Sequence, residues 1–249
     1  FKVYDVNNNL VDELTTSADG IAITKLLDKG SYYIKEVESG EWYLLNENTF
    51  IAEIKEHKEV VNVEIKNESE KPDVDIEKTG IIQTTASQEI KYEFAIKNTG
   101  NVPLSDFTWI DSLPTDYVRI TKLITGTYNQ DLNYSIYYKT NKNDYKLLKD
   151  NLNTKVNNYI DFSNLELEAD EYVTEFKADF GTVDVGFESV VNPYIFVRVN
   201  SDVKNDDIFT NKTRIEGYNK TYMVWDEDDH TTKVYEKEVP VKKLPRTGY

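Results

Sequence analysis

The sequence predicts an all-β protein made of two tandem β-sandwich domains, and three observations carry that expectation. Aromatic residues make up 12% of the chain, with 18 Tyr and 10 Phe against only 10 Gly and 6 Pro; disordered chains are poor in aromatics, so this is a folded composition. Tyr, Thr, Val and Ile are frequent and Ala is scarce, which suits pleated strands better than helices. Apolar residues recur at every second position in many short runs separated by turn residues, a pattern that reads as sandwiches. A chain of 249 residues is long enough to bury two such cores.

In the first 70 residues, turn signals stand at Asn7-Asn8-Asn9, Asp19-Gly20 and Lys29-Gly30. Tyr32, Ile34 and Glu36 then share one face of a strand. If the two apolar side chains point inward, so does the Glu36 carboxyl. Val61, Val63 and Ile65 alternate in the same way, with Asn67 next on their face. Residues 66–73 are polar and charged and contain a proline, as a short linker would. The expected division is a first sandwich over 1–68, a linker over 69–73 and a second sandwich over 74–240.

In the second sandwich the alternating faces are Val74, Ile76, Lys78; then Ile90, Tyr92, Phe94, Ile96; then Phe107, Trp109, Asp111; then Tyr172, Thr174, Phe176, Ala178, Phe180; and finally Phe209, Asn211, Ile215. Asn98-Thr99-Gly100-Asn101 and Asn141-Lys142-Asn143-Asp144 supply turns. No segment carries a convincing amphipathic helix. A polar run from about Thr231 to Lys243 leads to a terminal segment, 241–249.

Charge and composition exclude several classes of function. A net charge of −16 repels phosphate backbones and anionic lipid, so nucleic acid is not an expected partner. With no cysteine, disulfides, thiol catalysis and cysteine-bound zinc are ruled out. The two histidines, His57 and His230, lie far apart, and no Ser-His-Asp arrangement or phosphate loop is present. No cofactor and no soluble small-molecule substrate are therefore expected. Trp225-Asp226-Glu227-Asp228-Asp229-His230 lacks the glycine and spacing of a calcium loop and reads as an acidic hairpin turn. The chain opens at Phe1 with neither Met nor a signal peptide, and so reads as a piece of a longer protein.

Lys78, Asp111 and Asn211 each occupy a position where an apolar side chain is expected. Those three residue types suit an intramolecular isopeptide bond. Burial depresses a lysine until its amine is neutral and nucleophilic. The same burial raises a carboxyl until it can protonate an asparagine carbonyl and relay protons to departing ammonia. The alternative is structural: Lys78 at a strand end reaching water, Asp111 opening a turn before Pro114, and Asn211 in a loop.

Two runs of residues resemble known families. Phe1-Lys2-Val3-Tyr4-Asp5, Leu14 through Gly20 and Gly30-Ser31-Tyr32-Tyr33-Ile34-Lys35-Glu36 resemble a Cna-B-type, SpaA-like (prealbumin-like) module of Gram-positive pilins and adhesins. That resemblance implies that Glu36 is the proton shuttle of an isopeptide bond and Asn67 its acceptor amide. The family's lysine lies on a strand before the Phe1 segment; Lys2 is the nearest lysine but sits in the wrong part of the pattern. Asp75 through Gly80, Tyr92 through Asn101 and Asp111-Ser112-Leu113-Pro114 resemble DUF11-like repeats and the Cna-A-type, immunoglobulin-like domains of sortase-anchored surface proteins, with a weak match between about 120 and 205. The Cna-A-type pattern places lysine, aspartate and asparagine in the order Lys78, Asp111, Asn211.

The chain ends Leu244-Pro245-Arg246-Thr247-Gly248-Tyr249, which is similar to the Leu-Pro-x-Thr-Gly motif read by sortases. Proline bends the extended peptide, and glycine admits an enzyme close to the Thr247–Gly248 bond. The resemblance implies cleavage at that bond and transfer of Thr247 to a peptidoglycan cross-bridge or pilin amine. It further implies an apolar span and basic tail beyond Tyr249. The expected function is therefore a non-enzymatic structural or adhesive protein, extracellular and anchored to the cell wall, with sortase as partner and host matrix or another cell-surface ligand as a further one. The alternative is the spacer of a secreted surface enzyme or of an adhesin whose head lies elsewhere.

Overall fold

The computed structural model describes residues 1–236, which form strands and loops without an α-helix. They divide into two compact units, Phe1–Glu70 and the residues from Lys71 onward.

In the first unit, β1 (Lys2–Tyr4), β2 (Leu10–Glu13), β3 (Gly30–Lys35) and β4 (Thr49–Ile54) form one sheet in the order β2-β1-β3-β4. All pairings are antiparallel, with Val3 opposite both Asp12 and Ile34. Val3 and Tyr32 are its buried apolar side chains. The asparagine run turns β1 into β2 because the Asp5 carboxylate accepts from the Asn7 and Asn9 backbone and from the Asn9 amide, a local competitor to the ladder.

The expected strand through Val61, Val63 and Ile65 does not form. Val63, Ile65 and Asn67 keep the alternating, half-buried pattern, but this stretch bonds to an irregular loop. Leu44 N donates to Glu68 O, Glu70 N to Trp42 O, and the Asn46 amide to Lys66 O. A strand needs a run of successive pairs, and that loop offers one isolated antiparallel bridge, Tyr43 with Ser69.

The second unit contains β5 (Val74–Gly80), β6 (Gln83–Thr84), β7 (Glu89–Asn98), β8 (Leu104–Ser112), β9 (Val118–Ile124), β10 (Thr127–Tyr128), β11 (Asn133–Thr140), β12 (Lys146–Asn153), β13 (Tyr159–Asp161), β14 (Val173–Val183), β15 (Ser189–Val191), β16 (Tyr194–Val199), β17 (Ile208–Asn219) and β18 (Tyr222–Val234). A seven-stranded sheet, β12-β11-β14-β8-β17-β18-β6, faces a five-stranded sheet, β13-β9-β16-β7-β5, while β10 and β15 pair separately. Residues 120–205 of this unit supply most of β9 and all of β10 to β16.

Ile90, Tyr92, Phe94 and Ile96 of β7 line the inner face of the smaller sheet; Phe107 and Trp109 of β8, Phe176 and Phe180 of β14 and Ile215 of β17 line that of the larger. Phe94 meets Trp109 edge-on at 4.7 Å and Trp109 meets Phe176 at 4.9 Å, a favoured aromatic geometry. Each such side chain contributes about 1.5–3 kcal/mol of hydrophobic stabilisation.

Ser69 bridges to Tyr43 within the first unit, and within the second Lys71 O and Asp73 O accept from Asn101, Thr99 and Gly100. Two pattern readings are corrected. In β14 the inward set runs Val173, Phe176, Ala178, Phe180 rather than through Tyr172 and Thr174, because a bulge at Lys139/Thr140 shifts the pairing with β11 and resets the alternation. Asp226 to Asp229 are not a hairpin turn. They lie inside β18, and the turn comes earlier, between Asn219 and Tyr222.

Candidate functional site

β5 is the edge of the five-stranded sheet and pairs with β7 so that Lys78 lies opposite Phe94. Its inward face is Val74, Ile76 and Lys78, all 5% exposed or less. In the facing sheet, Asp111 of β8 pairs with Thr213 of β17, which places Asn211 at the diagonal position two residues along. Asp111 and Asn211 are wholly buried, and the Lys78 side chain has no solvent exposure.

The three side chains converge across the sandwich. Lys78 Nζ donates to Asp111 Oδ1 at 2.6 Å, and the Asn211 amide donates to Asp111 Oδ2 at 3.1 Å. Asn211 Oδ1 is buried without a hydrogen-bond partner among the described residues, an acceptor held close to a carboxyl group. The Lys78 ammonium lies 5.2 Å from the Tyr92 ring centre and 5.1 Å from that of Phe94. Trp109 is fixed alongside by its bond to Thr213 Oγ1 at 2.9 Å.

Burial dominates the electrostatics. Loss of water pushes Lys78 below the usual lysine range, against the opposing pull of Asp111, Asp228 and Asp229. Loss of water pushes Asp111 up, against Lys78 and Asn211. Both shifts favour moving one proton across the 2.6 Å contact, giving a neutral amine beside a neutral acid; the two groups titrate as a pair. Burial also pushes the Tyr92 phenol up to about 12.

Three further placements concern the sequence expectations. Glu36, 8% exposed just past β3, accepts from the Asn67 amide at 2.6 Å and from Asn46 N at 2.7 Å, and the Asn67 amide also donates to Leu44 O. Lys2 is not brought to this pair and stands 4.0 Å from Glu13 at the surface. The motif Leu244, Pro245, Arg246, Thr247 and Gly248 lies outside the described residues.

Sequence reasoning missed the role of Asp226 and Asp228. Their carboxylates, on β18 of the larger sheet, accept from Ile76 N at 3.0 Å and Lys78 N at 2.6 Å on the edge of β5. The period-2 set Val224, Asp226, Asp228, His230, Thr232, Val234 carried the signal, since every second residue there faces inward.

Comparison with known proteins adds the following. The SpaA family, described as a prealbumin-like fold domain, matches residues 1–69. The trypsin-resistant surface T6 protein of Streptococcus pyogenes serotype M6 is 42% identical over 50 residues, 20% of this chain and 9% of that protein. Among solved structures, BcpA, the major pilin subunit of Bacillus cereus, is similar at 17% identity and a TM-score of 0.37, over 94% of this chain and 63% of that one. ACE19, the collagen-binding subdomain of the Enterococcus faecalis surface protein ACE, is similar at 11% identity and a TM-score of 0.26, over 64% of this chain and 95% of that one. The chain thus spans under two thirds of the length of both the T6 protein and BcpA.

Proposed function

We propose that this chain is a structural or adhesive segment of an extracellular, cell-wall-anchored protein, whose second sandwich is locked by an isopeptide bond between Lys78 and Asn211. The observation that carries the reading is the buried contact of Lys78 and Asn211 with the two oxygens of one carboxylate, Asp111. The surface assignment is supported by the SpaA-family match at residues 1–69 and by the likeness to a streptococcal surface protein.

The chemistry follows from the site. Asp111 takes a proton from Lys78, and the neutral Nζ attacks Cγ of Asn211. With its amide turned over, Asn211 presents Oδ1 to the Asp111 O–H, which protonates it as the tetrahedral centre forms. Asp111 then relays the proton from Nζ to Nδ2, and collapse breaks the Cγ–Nδ2 bond, releasing ammonia, while the Cγ=Oδ1 carbonyl re-forms and its proton returns to Asp111. One amine and one primary amide become one secondary amide and ammonia, with no oxidant and no external reactant. Fixing the reactants in a rigid core supplies effective molarities on the order of 10⁵ M or more.

Intact-mass measurement of the purified chain tests the bond. The expected mass is short by one ammonia, with a branched Lys78–Asn211 peptide after digestion, and is full in Lys78→Ala and Asn211→Ala. A full mass in the unaltered chain would remove the proposal. The wall anchor is supported by the terminal Leu244-Pro245-Arg246-Thr247-Gly248 run. Incubation with a sortase and an oligoglycine amine is expected to release Gly248-Tyr249 and attach the amine to Thr247; an uncut terminus would overturn it. The Glu36–Asn67 pair is read as the carboxylate and amide of a second such site that awaits a lysine.

A further inference from the structure

We propose that Asp228 is a positioning residue for Lys78: from the opposite sheet, its carboxylate holds the Lys78 backbone so that the amine is delivered onto Asp111 and Asn211. This rests on the crosslink reading above.

An edge strand leaves every second backbone N–H without a ladder partner. On β5 two of these are the amides of Ile76 and Lys78, and carboxylates from β18 accept from both. The Asp228 bond is the shorter, at 2.6 Å, in the range of charge-assisted hydrogen bonds. Its other oxygen accepts from Asp229 N at 2.8 Å, which fixes the orientation of the carboxylate. The chain is held again just beyond: His230 Nε2 contacts Ile81 O at 3.1 Å and Thr232 Oγ1 donates to the same oxygen at 2.9 Å. At Gly80 a Cβ would overlap the rings of Tyr92 and His230, so the missing side chain lets both rings close over the end of β5. The residue bearing the amine is therefore clamped at its own N–H and three residues on, and a displacement of about 1 Å in a reacting group can cost about a hundredfold in rate.

The charge on Asp228 opposes the chemistry that its hydrogen bond assists. The ionisable groups around the Lys78 amine are Asp111 on β8, Tyr92 on β7, and Asp228 and Asp229 on β18. The carboxylates favour the ammonium form, whereas attack requires the neutral amine. Asp228 thus acts in two separable ways: holding the backbone speeds closure, and its negative charge raises the pH at which closure proceeds.

The full-length chain, recovered unfolded and refolded at a series of pH values, allows the loss of ammonia to be followed by intact mass. Asp228→Ala is expected to close about a hundredfold more slowly than the unaltered chain. Asp228→Asn keeps one acceptor oxygen, which can serve Lys78 N at the expense of the Asp229 N–H, and loses the charge, so it closes faster than Asp228→Ala, with its half-maximal pH lower by about one unit. Asp226→Ala, which releases Ile76 instead, stays within about threefold of normal. Closure of Asp228→Ala at the normal rate, or equal slowing by Asp226→Ala, overturns the role of Asp228. If Asp228→Ala does not fold, Asp228→Ser, whose shorter side chain does not reach Lys78 N, takes its place, and closure at the normal rate overturns the proposal. An unaltered chain that keeps its ammonia throughout refutes the crosslink, and this role with it.

Discussion

Lys91 Nζ donates to Glu93 Oε2 at 2.6 Å, and Glu93 Oε1 accepts from the Asn192 amide at 3.2 Å, which repeats the connectivity of Lys78, Asp111 and Asn211 on the outside of the same sheet. The environments differ. Lys91 and Glu93 are 40% and 39% exposed, against none for Lys78 and Asp111. The Lys91 hydrogen bond, its largest influence, pulls Glu93 below its ordinary range, whereas burial pushes Asp111 above it. A solvated ammonium beside a solvated carboxylate stays charged and does not attack an amide.

The chain is therefore expected to lose one ammonia from its second sandwich, not two, and Asn192→Ala to leave that deficit unchanged. Peptide mapping that finds Lys91 joined to Asn192 would show that wiring alone, without burial, is enough for the reaction.

Replacing Asp111 by Ala is expected to abolish the mass deficit and to cost about 3–5 kcal/mol, because it strands Lys78 and the Asn211 amide in the core without their partner. Denaturant unfolding of Asp111→Ala against Asn211→Ala separates the two contributions, since the second variant lacks the bond but keeps the ion pair. Equal stabilities would mean that the buried pair contributes little beyond the bond.

Glu171 ties the loop before β14 to the turn after β11. It accepts from Thr140 Oγ1 at 2.6 Å, the Asn143 amide at 2.7 Å and Glu168 N at 3.0 Å. These bonds, the Thr140 one foremost, hold its carboxyl down to about 2. A carboxyl lowered on folding contributes stability that is present above its unfolded value and is lost as pH falls through the folded one. The 140–143 and 168–171 loops should thus stay joined well below the ordinary glutamate range and part near pH 2. Carboxyl NMR titration of Glu171 checks this, and a midpoint at the ordinary glutamate value would contradict it.

Gly126 joins β9 to β10 with φ at +66°, and a Cβ there would overlap the Val191 carbonyl and the Pro193 nitrogen. Gly126→Ala combines left-handed strain with a backbone clash that no rotamer relieves. A loss of about 2 kcal/mol or more is expected, measured as a lower denaturation midpoint at unchanged slope; an unchanged midpoint would mean that the loop shifts freely.

The all-β class and the buried triad were legible because both rest on period-2 alternation, which a half-buried strand imposes directly. Lys78, Asp111 and Asn211 stood out as polar residues in apolar rows, and each row folded with that face inward. Three things were not legible. The bulge ahead of Phe176 depends on pairing with β11, a long-range relation that no window of sequence contains. The stretch at Val61 to Ile65 kept its alternation without becoming a strand, since the loop opposite it is irregular. The acidic run at Asp226 was read by composition as a turn; its own alternation with Val224 and Val234 pointed inward, but the edge it serves lies about 150 residues away.

The clamp on β5 has a consequence for pulling. β5 and β6 run in the same direction as β18: Ile76 meets Asp226, Lys78 meets Asp228, and Gln83 and Thr84 pair in parallel with Lys233 and Val234. The chain comes into β5 at one end of this pair and goes out of β18 at the other. Tension between those two points drags the strands lengthwise past each other, so the carboxylate contacts and the β6 rungs resist together in shear instead of unzipping one by one. The strands between them, β7 to β16, lie off that line and carry little of the load.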